Sequence, residues 1–283
     1  MNKFYIQIVL FFLSVSVYLN NKALATEPAP EENTETKPPK RYLTPEEIFA
    51  KNKHLLCTNR NEIINAANLM SEAAAHLENH ATSKNGYDIC KWTRNFNITL
   101  STKKDEGNII IQKTHFKYYN VDKYKKIINM LWDPNSEHFL DKTSSKRKIA
   151  RVYNPNLVMI QQRYKSWSEG RDKYFYALAA NIEISPYETI IVISSPNVND
   201  GYPSDKEYKN KIVENANLFK LDINSEDDIK NGEIKKTNVN IAGYFIRKIC
   251  NFIDIIYIES IDGHNIRSRK ENIKKTLNNI YSL

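Results

Sequence analysis

Glycine is scarce in this chain, seven of 283 residues, and none of the seven falls in a G-x-S-x-G or G-x-x-x-x-G-K pattern. That removes the Gly-rich cradles that bring backbone N–H groups onto a phosphate, and the strained turn that presents a catalytic serine. Histidine is also thin, six residues. His76 and His80 stand at i and i+4, the spacing of two ligands to one metal, but Leu77 rather than a Glu follows the first and no third ligand accompanies them. His115, His138 and His264 are scattered, so no nucleophile-base arrangement assembles from sequence. Apolar runs are missing after the first twenty residues, and the single early one, Phe4 to Leu19, falls short of the ~20 residues a membrane span needs. These absences argue against an enzyme, a metal protein and a spanning protein. No internal repeat is visible either.

What is present begins with a leader. Lys3 supplies a positive start, Phe4 to Leu19 an apolar centre, and Ala23-Leu24-Ala25 a small-residue cleavage pattern, so residues 1–25 read as a signal peptide and the protein as secreted. The +8 net charge of the whole chain then falls by two, for Lys3 and Lys22, to +6. That balance suits anionic headgroups or phosphates, although the abundance of Lys, Asn, Ile and Tyr together points to A/T-rich codons as much as to a partner. Aromatics such as those of "KYFYA" sit in strands without a ribonucleoprotein signature, which argues against nucleic acid. Residues 26–54 open with a Pro-, Glu- and Thr-rich stretch and read as a disordered leader, leaving 55–283 as one domain with a large core or an internal cavity. Three cysteines are an odd set for a secreted chain. Cys57 and Cys90 flank the first helix and either join, closing a 33-residue loop, or stay free with Cys250. A closed loop of that size is worth about 3 to 4 kcal/mol in the chain-entropy account. Asn97 to Thr99 is an N-glycosylation acceptor pattern.

Periodicity gives the order of elements. "NRNEIINAANLMSEAAAHLENH" has Asn59 and Glu62 at capping-box spacing, and Ile63, Ala66, Ala67, Met70, Ala73, Ala74 and Leu77 on one stripe, which predicts a long helix. "YDICKWTRNFNITL" and "NIIIQKTHFKYYNV" predict two strands joined by a hairpin over Ser101 to Gly107. Asp122 is placed to cap "KYKKIINMLW", a short helix stopped by Pro134, and "SEHFLDKT" adds a further turn. From Ile149 six strands follow, interrupted between Asn197 and Gly232 by a polar insertion in which "EYKNKIVENANLF" reads as a helix on Tyr208, Ile212, Ala216 and Phe219. The class is α+β with one large, curved antiparallel sheet. Neither parity of "LVMIQQRYKSW" is cleanly polar, so one face meets something apolar that tolerates Gln, Asn and Tyr, as a lined pocket does. A terminal helix with Ile266, Ile273, Leu277 and Ile280 on one stripe and a basic flank is placed to cover that face as a lid, or equally to fill a core.

The closing "FIDIIYIESIDGHNIRSRKENIKKTL" resembles the helix-grip fold of START lipid-transfer domains, in which the last strand turns into a gating helix and the sheet wraps around it. "YKKIINMLWDPN", the run Arg171-Asp172-Lys173-Tyr174 and "GYFIRKIC" are similar to other parts of that pattern, over residues 55–283. The leader resembles that of the fam-a proteins of rodent malaria parasites, secreted and built on START-like domains. "RYLTPEE" departs from the parasite export signal at Pro45, where an acid belongs.

The resemblance implies a carrier without cofactor or catalysis, a monomer holding a phospholipid as cargo, phosphatidylcholine first, and touching membranes transiently on its way to the parasitophorous vacuole or the host erythrocyte. Of the headgroup residues of phosphatidylcholine-binding START domains, the alignment leaves Glu137, Leu140 and Asp141, so only the Asp survives. Tyr164, Tyr176 and Tyr244 are candidates for an aromatic cage around choline. With Asp141 they form the expected lining together with Ile160, Gln162, Phe175, Asn240, Ile273 and Leu277. The expected membrane gate is Trp167 and Arg171 on the "SWSEGRD" loop with Lys274 and Lys275 on the terminal helix. A START-like shell acting as a surface antigen or host-interaction protein, without transfer, is the alternative.

Overall fold

The structure, a computed structural model, describes residues 41–93, 98–105, 109–136, 146–165, 170–204, 208–262 and 280. Thr44 starts α1 (Pro45–Lys51) with a reciprocal capping box: its hydroxyl accepts from the N–H of Glu47, whose carboxylate accepts from the N–H of Thr44. With Pro45 in the first turn and Ile48 buried, this segment is structured, where composition alone placed it in the unstructured leader. A 3₁₀ turn, Lys53–Leu55, then leads to Leu56, which bridges Val152.

Helix α2 (Arg60–Thr82) is capped by the Asn59 side chain, which accepts from the N–H groups of Asn61 and Glu62. Glu62 does not complete a box; its carboxylate takes Arg151 Nη1 at 2.6 Å and the Tyr153 hydroxyl at 2.9 Å. The stripe read from sequence is the buried one, and its alanines let the helix lie close on the sheet. Strands β1 (Asp88–Thr93), β2 (Ile98–Asp105) and β3 (Ile109–Tyr118) follow, so the first predicted strand is divided and the predicted hairpin residues Ser101 to Asp105 are themselves strand, paired with β3. The Asn120 side chain, rather than Asp122, caps the 3₁₀ turn Val121–Lys123 that runs into α3 (Tyr124–Trp132). The "SEHFLDKT" turn lies largely outside the described residues.

Strands β4 (Lys146–Asn154), β5 (Leu157–Tyr164), β6 (Lys173–Ser185) and β7 (Glu188–Ser194) form a meander. The insertion holds β8 (Asn197–Asn199), α4 (Asn215–Leu218), β9 (Lys220–Asp222) and α5 (Asp227–Lys230). Its helix is a single turn, shorter than the Tyr208-to-Phe219 pattern predicts, because the Asn210 side chain accepts from the N–H groups of Ile212 and Val213 and turns the chain there. Strands β10 (Lys235–Lys236), β11 (Val239–Lys248) and β12 (Ile253–Ile261) complete the sheet.

The strand order is β1-β2-β3-β12-β11-β7-β6-β5-β4, antiparallel along this path, with β10 added in parallel beside β6. The last strand in sequence therefore lies between β3 and β11, and all nine of its residues are buried. Side chains alternate between two apolar clusters. On one face α2 and the insertion cover Leu157, Met159, Leu178, Val192 and Ile258. On the other, Ile48 of α1 and the apolar side of α3 meet Ile160, Phe175, Ile191, Tyr244 and Tyr257. Ile280, wholly buried, belongs to this second cluster, so the end of the chain returns to the α3 face. Among the described residues no helix is long and apolar enough to cross a membrane.

Candidate functional site

The α3 face is apolar with polar groups set into it. At its centre the rings of Tyr244 and Tyr257 pack 4.9 Å apart, and the Tyr257 hydroxyl donates to Glu259 at 2.7 Å, although Glu259 is only 3 % exposed. Thr114 stands opposite Tyr257 on β3, fully buried, and its Oγ1 has no hydrogen-bond partner. Toward the β4 edge, Arg147 donates through Nε and Nη2 to Gln162 Oε1 at 3.1 and 2.8 Å. Tyr164 reaches Thr237 at 3.0 Å, with the Phe175 ring 6.3 Å from its own. The Tyr124 hydroxyl meets Thr189 at 2.9 Å, and burial pushes its pKa up to about 12.

A small cavity opens between α1, the end of α3 and strands β4 to β7. It measures 30 Å³ and is walled by Ile48, Leu131, Trp132, Arg147, Ile160 and Ile191, among others. That volume admits a water-sized molecule. Trp132 is buried and its indole N–H has no acceptor. The next residue, Asp133, holds the strand leading into α1 by accepting from the Leu43 N–H at 3.1 Å, and accepts from the Asn135 N–H at 2.9 Å. The "LWDPN" sequence thus joins α3 to the N-terminal segment.

The predicted lining residues divide. Ile160, Gln162, Tyr164, Phe175 and Tyr244 all belong to the α3 face or its edge. Tyr176 faces the other way: Phe175 and Tyr176 are consecutive in β6, and a strand cannot turn neighbours to one side. Its hydroxyl is held by Gln161 Nε2 at 2.5 Å and Ser225 at 3.2 Å under the insertion. Asn240, at a bulge in the pairing of β11 with β12, is held by Tyr208 at 3.1 Å and Ser260 at 3.5 Å. The proposed cage of Tyr164, Tyr176 and Tyr244 is therefore not assembled. Arg171 is exposed at the end of its loop. Asp141, Trp167, Ile273, Lys274, Lys275 and Leu277, as well as Glu137 and Leu140, lie outside the described residues. Cys57 is a free, half-buried thiol beside the carbonyl of Asn59, and Cys250 is free and exposed, so the bridge from Cys57 is not formed. His76 contacts Glu72 and His80 contacts the Tyr87 hydroxyl at 3.2 Å, so the two histidines have separate partners.

No family model matches the chain, and no curated protein matches its sequence. Solved structures do. Human StAR-related lipid transfer protein 5 aligns over 77 % of this chain and 93 % of its own, with a TM-score of 0.52 and 9 % identity. The fold is START-like. Human STARD10 aligns over 72 % of this chain and 71 % of its own at TM-score 0.41 and 10 % identity. Helix α2 and the insertion lie on one side of the sheet, and α1 and α3 on the other. Sequence reasoning missed Thr114, Trp132, Arg147, Tyr257 and Glu259 there. The Glu in "IIYIESI" was the available signal, a carboxylate in a strand with no polar face.

Proposed function

We propose that this protein binds a phospholipid on the α3 face of its sheet and carries it between membranes. The observation that carries the reading is the pair of unsatisfied polar atoms, Thr114 Oγ1 and Trp132 Nε1, buried on one largely apolar face. A buried polar group without a partner costs about 1 to 3 kcal/mol, and the ester and headgroup oxygens of a lipid supply the missing acceptors. Acyl chains laid among these side chains leave water at about 0.8 kcal/mol per CH₂. The 30 Å³ cavity at the α1 end is itself too small for them, and in this reading the cover parts to admit them. The terminal segment that brings Ile280 to this face is the gate in this reading, with Lys274, Lys275, Trp167 and Arg171 at the membrane. Phosphatidylcholine is the proposed cargo, and the protein is proposed to act as a secreted, non-catalytic monomer.

Native mass spectrometry of the purified protein tests this directly, the expected result being a lipid-sized adduct. Removing residues 265–283 is expected to abolish transfer between vesicles; transfer that survives this truncation refutes the gate. The headgroup positions, of which only Asp141 matches, favour a second reading, a START-like shell that binds a host protein and carries nothing, for which no adduct is expected.

A further inference from the structure

Three of the eight exposed large apolar side chains among the described residues gather at one end of the sheet. Tyr119, just after β3, is 62 % exposed; Tyr187, in the β6–β7 turn, 60 %; Ile249, in the β11–β12 turn, 38 %. They belong to three adjoining connections. The Tyr119 and Phe252 rings lie 6.1 Å apart, the Ile249 N–H donates to the Phe252 carbonyl at 2.9 Å, and the Lys248 N–H donates to the Tyr187 carbonyl at 2.7 Å. This end is opposite the one where β6 begins at Lys173 and β12 finishes at Ile261.

The charges here complement an anionic surface. Lys117, Lys123, Lys125, Lys126, Arg247 and Lys248 stand at this end against Glu78, Asp122, Glu183, Glu188 and Asp254. Glu183 is engaged by Lys125 at 2.8 Å, and Asp254 by Arg247 and His115 at 2.6 Å each. Lys117 Nζ lies 4.3 Å from the centroid of the Phe252 ring, a cation held over the face of an aromatic ring in the patch. Tyrosines with aliphatic neighbours and a basic rim match the boundary between acyl chains and headgroups.

We propose that this end of the sheet docks on an anionic bilayer. The purpose rests on the lipid-carrier reading: β11 is ten residues long, so at about 3.3 Å per residue the start of β6 at Lys173 is held about 33 Å from the docked surface. Tethering then uses one end of the molecule and lipid exchange the other.

The test is cosedimentation of the mature full chain with vesicles of phosphatidylcholine, with and without phosphatidylserine. The wild-type protein is expected to pellet with the serine-containing vesicles. Combining Tyr119→Ser, Tyr187→Ser and Ile249→Ser is expected to weaken this about tenfold, equivalent to about 1.4 kcal/mol, whereas Leu218→Ser, at an exposed apolar residue of the insertion, leaves it unchanged. If the near-UV circular dichroism of the triple variant is altered, Tyr187→Ser alone replaces it. Failure of the wild type to bind, binding that survives the substitutions, or loss in Leu218→Ser overturns the proposal. So does a dimer in sedimentation velocity that the triple variant dissociates, because the patch would then belong to a second copy. Native mass spectra of the same samples keep the two ideas apart: intact vesicle binding without a lipid adduct removes the cargo and leaves the docking end standing.

Discussion

Gly243 shows how much a missing side chain decides. At φ +152°, a Cβ there would meet the Ile191 carbonyl oxygen at 2.1 Å, Leu77 Cδ1 at 2.7 Å and Val192 Cα at 2.9 Å. Two of these are backbone atoms of the neighbouring strand and cannot yield, and the third is the side chain by which α2 presses on the sheet. Gly243→Ala is expected to cost about 3 kcal/mol, combining overpacking with a strained φ, and a lowered urea midpoint checks it. Gly170 is the control: φ is +67° but nothing lies within 4 Å, so Ala there is expected to cost only about 1 to 2 kcal/mol. Trp132 presents the converse case, an atom too many. Trp132→Phe removes the unpartnered indole N–H, worth about 1 to 3 kcal/mol when buried without an acceptor. Delipidated protein is therefore expected to tolerate the change within about 1 kcal/mol of thermal stability, since some packing is lost with the larger ring. Retention of the lipid adduct is expected to fall. Equal retention in wild type and variant would detach the indole from cargo binding.

Among the elements, the insertion is fastened to the sheet by charge as much as by its apolar side chains. Glu226 pairs with Lys148, with Gln161 Nε2 at 2.9 Å and with Arg163 at 3.1 Å, while Asp228 takes Arg163 Nη2 at 3.0 Å. Burial acts to raise the Glu226 pKa, but the hydrogen bonds from Lys148 and Gln161 outweigh it and hold the carboxyl at about 2 instead of 4.5. A depressed folded-state value stabilises above the unfolded pKa and is lost as pH falls through the folded one. The clasp should therefore hold fully above pH 4.5 and fade toward pH 2, with a modest amplitude because the site is partly open to solvent. In a comparison of stability against pH, Glu226→Gln should flatten that window while leaving the curve above pH 5 parallel to wild type. None of this was legible in sequence. The 3.6-residue stripe of α2 and the apolar strands from Ile149 onward were, because burial on one stripe or on both sheet faces writes itself into every position. Asp228 and Arg163 stand 65 residues apart and carry no mutual signal. Capping was half legible: Asn59 starts α2, but its partner Glu62 was drawn to Arg151. Thr44 and Glu47 made the box unnoticed inside a stretch that composition read as unstructured. On the α3 face, parity was available to separate Phe175 from Tyr176, whereas the orphaned Thr114 Oγ1 and Trp132 Nε1 become visible only once neighbours are placed.

For the molecule as a whole, the order β3-β12-β11 sets what can be removed. Strand β12 is the last in sequence yet joins β1-β2-β3 to the rest of the sheet, pairing with β3 from Ile253 to Glu259 and with β11 along its whole length. Both halves of the sheet therefore wait for the end of the chain, and pairings this distant close slowly because loop entropy must be met first. Two truncations should separate the roles of strand and terminal segment. Ending the chain after Asn251 deletes β12 and is expected to abolish cooperative urea unfolding, since β3 and β11 lose their shared partner. Ending it after Asp262 keeps every strand among the described residues but removes Ile280, which is buried on the α3 face. That protein is expected to keep its far-ultraviolet circular dichroism from the sheet, to unfold cooperatively at a lower urea midpoint, and to bind an apolar dye that the full chain does not, because the cluster around Tyr244, Tyr257 and Ile255 is then open to solvent. If dye binding stays low, the α3 face is closed by its own strands and α3, the terminal segment covers nothing that matters to a lipid, and the gripping side of this START-like sheet has to be sought elsewhere.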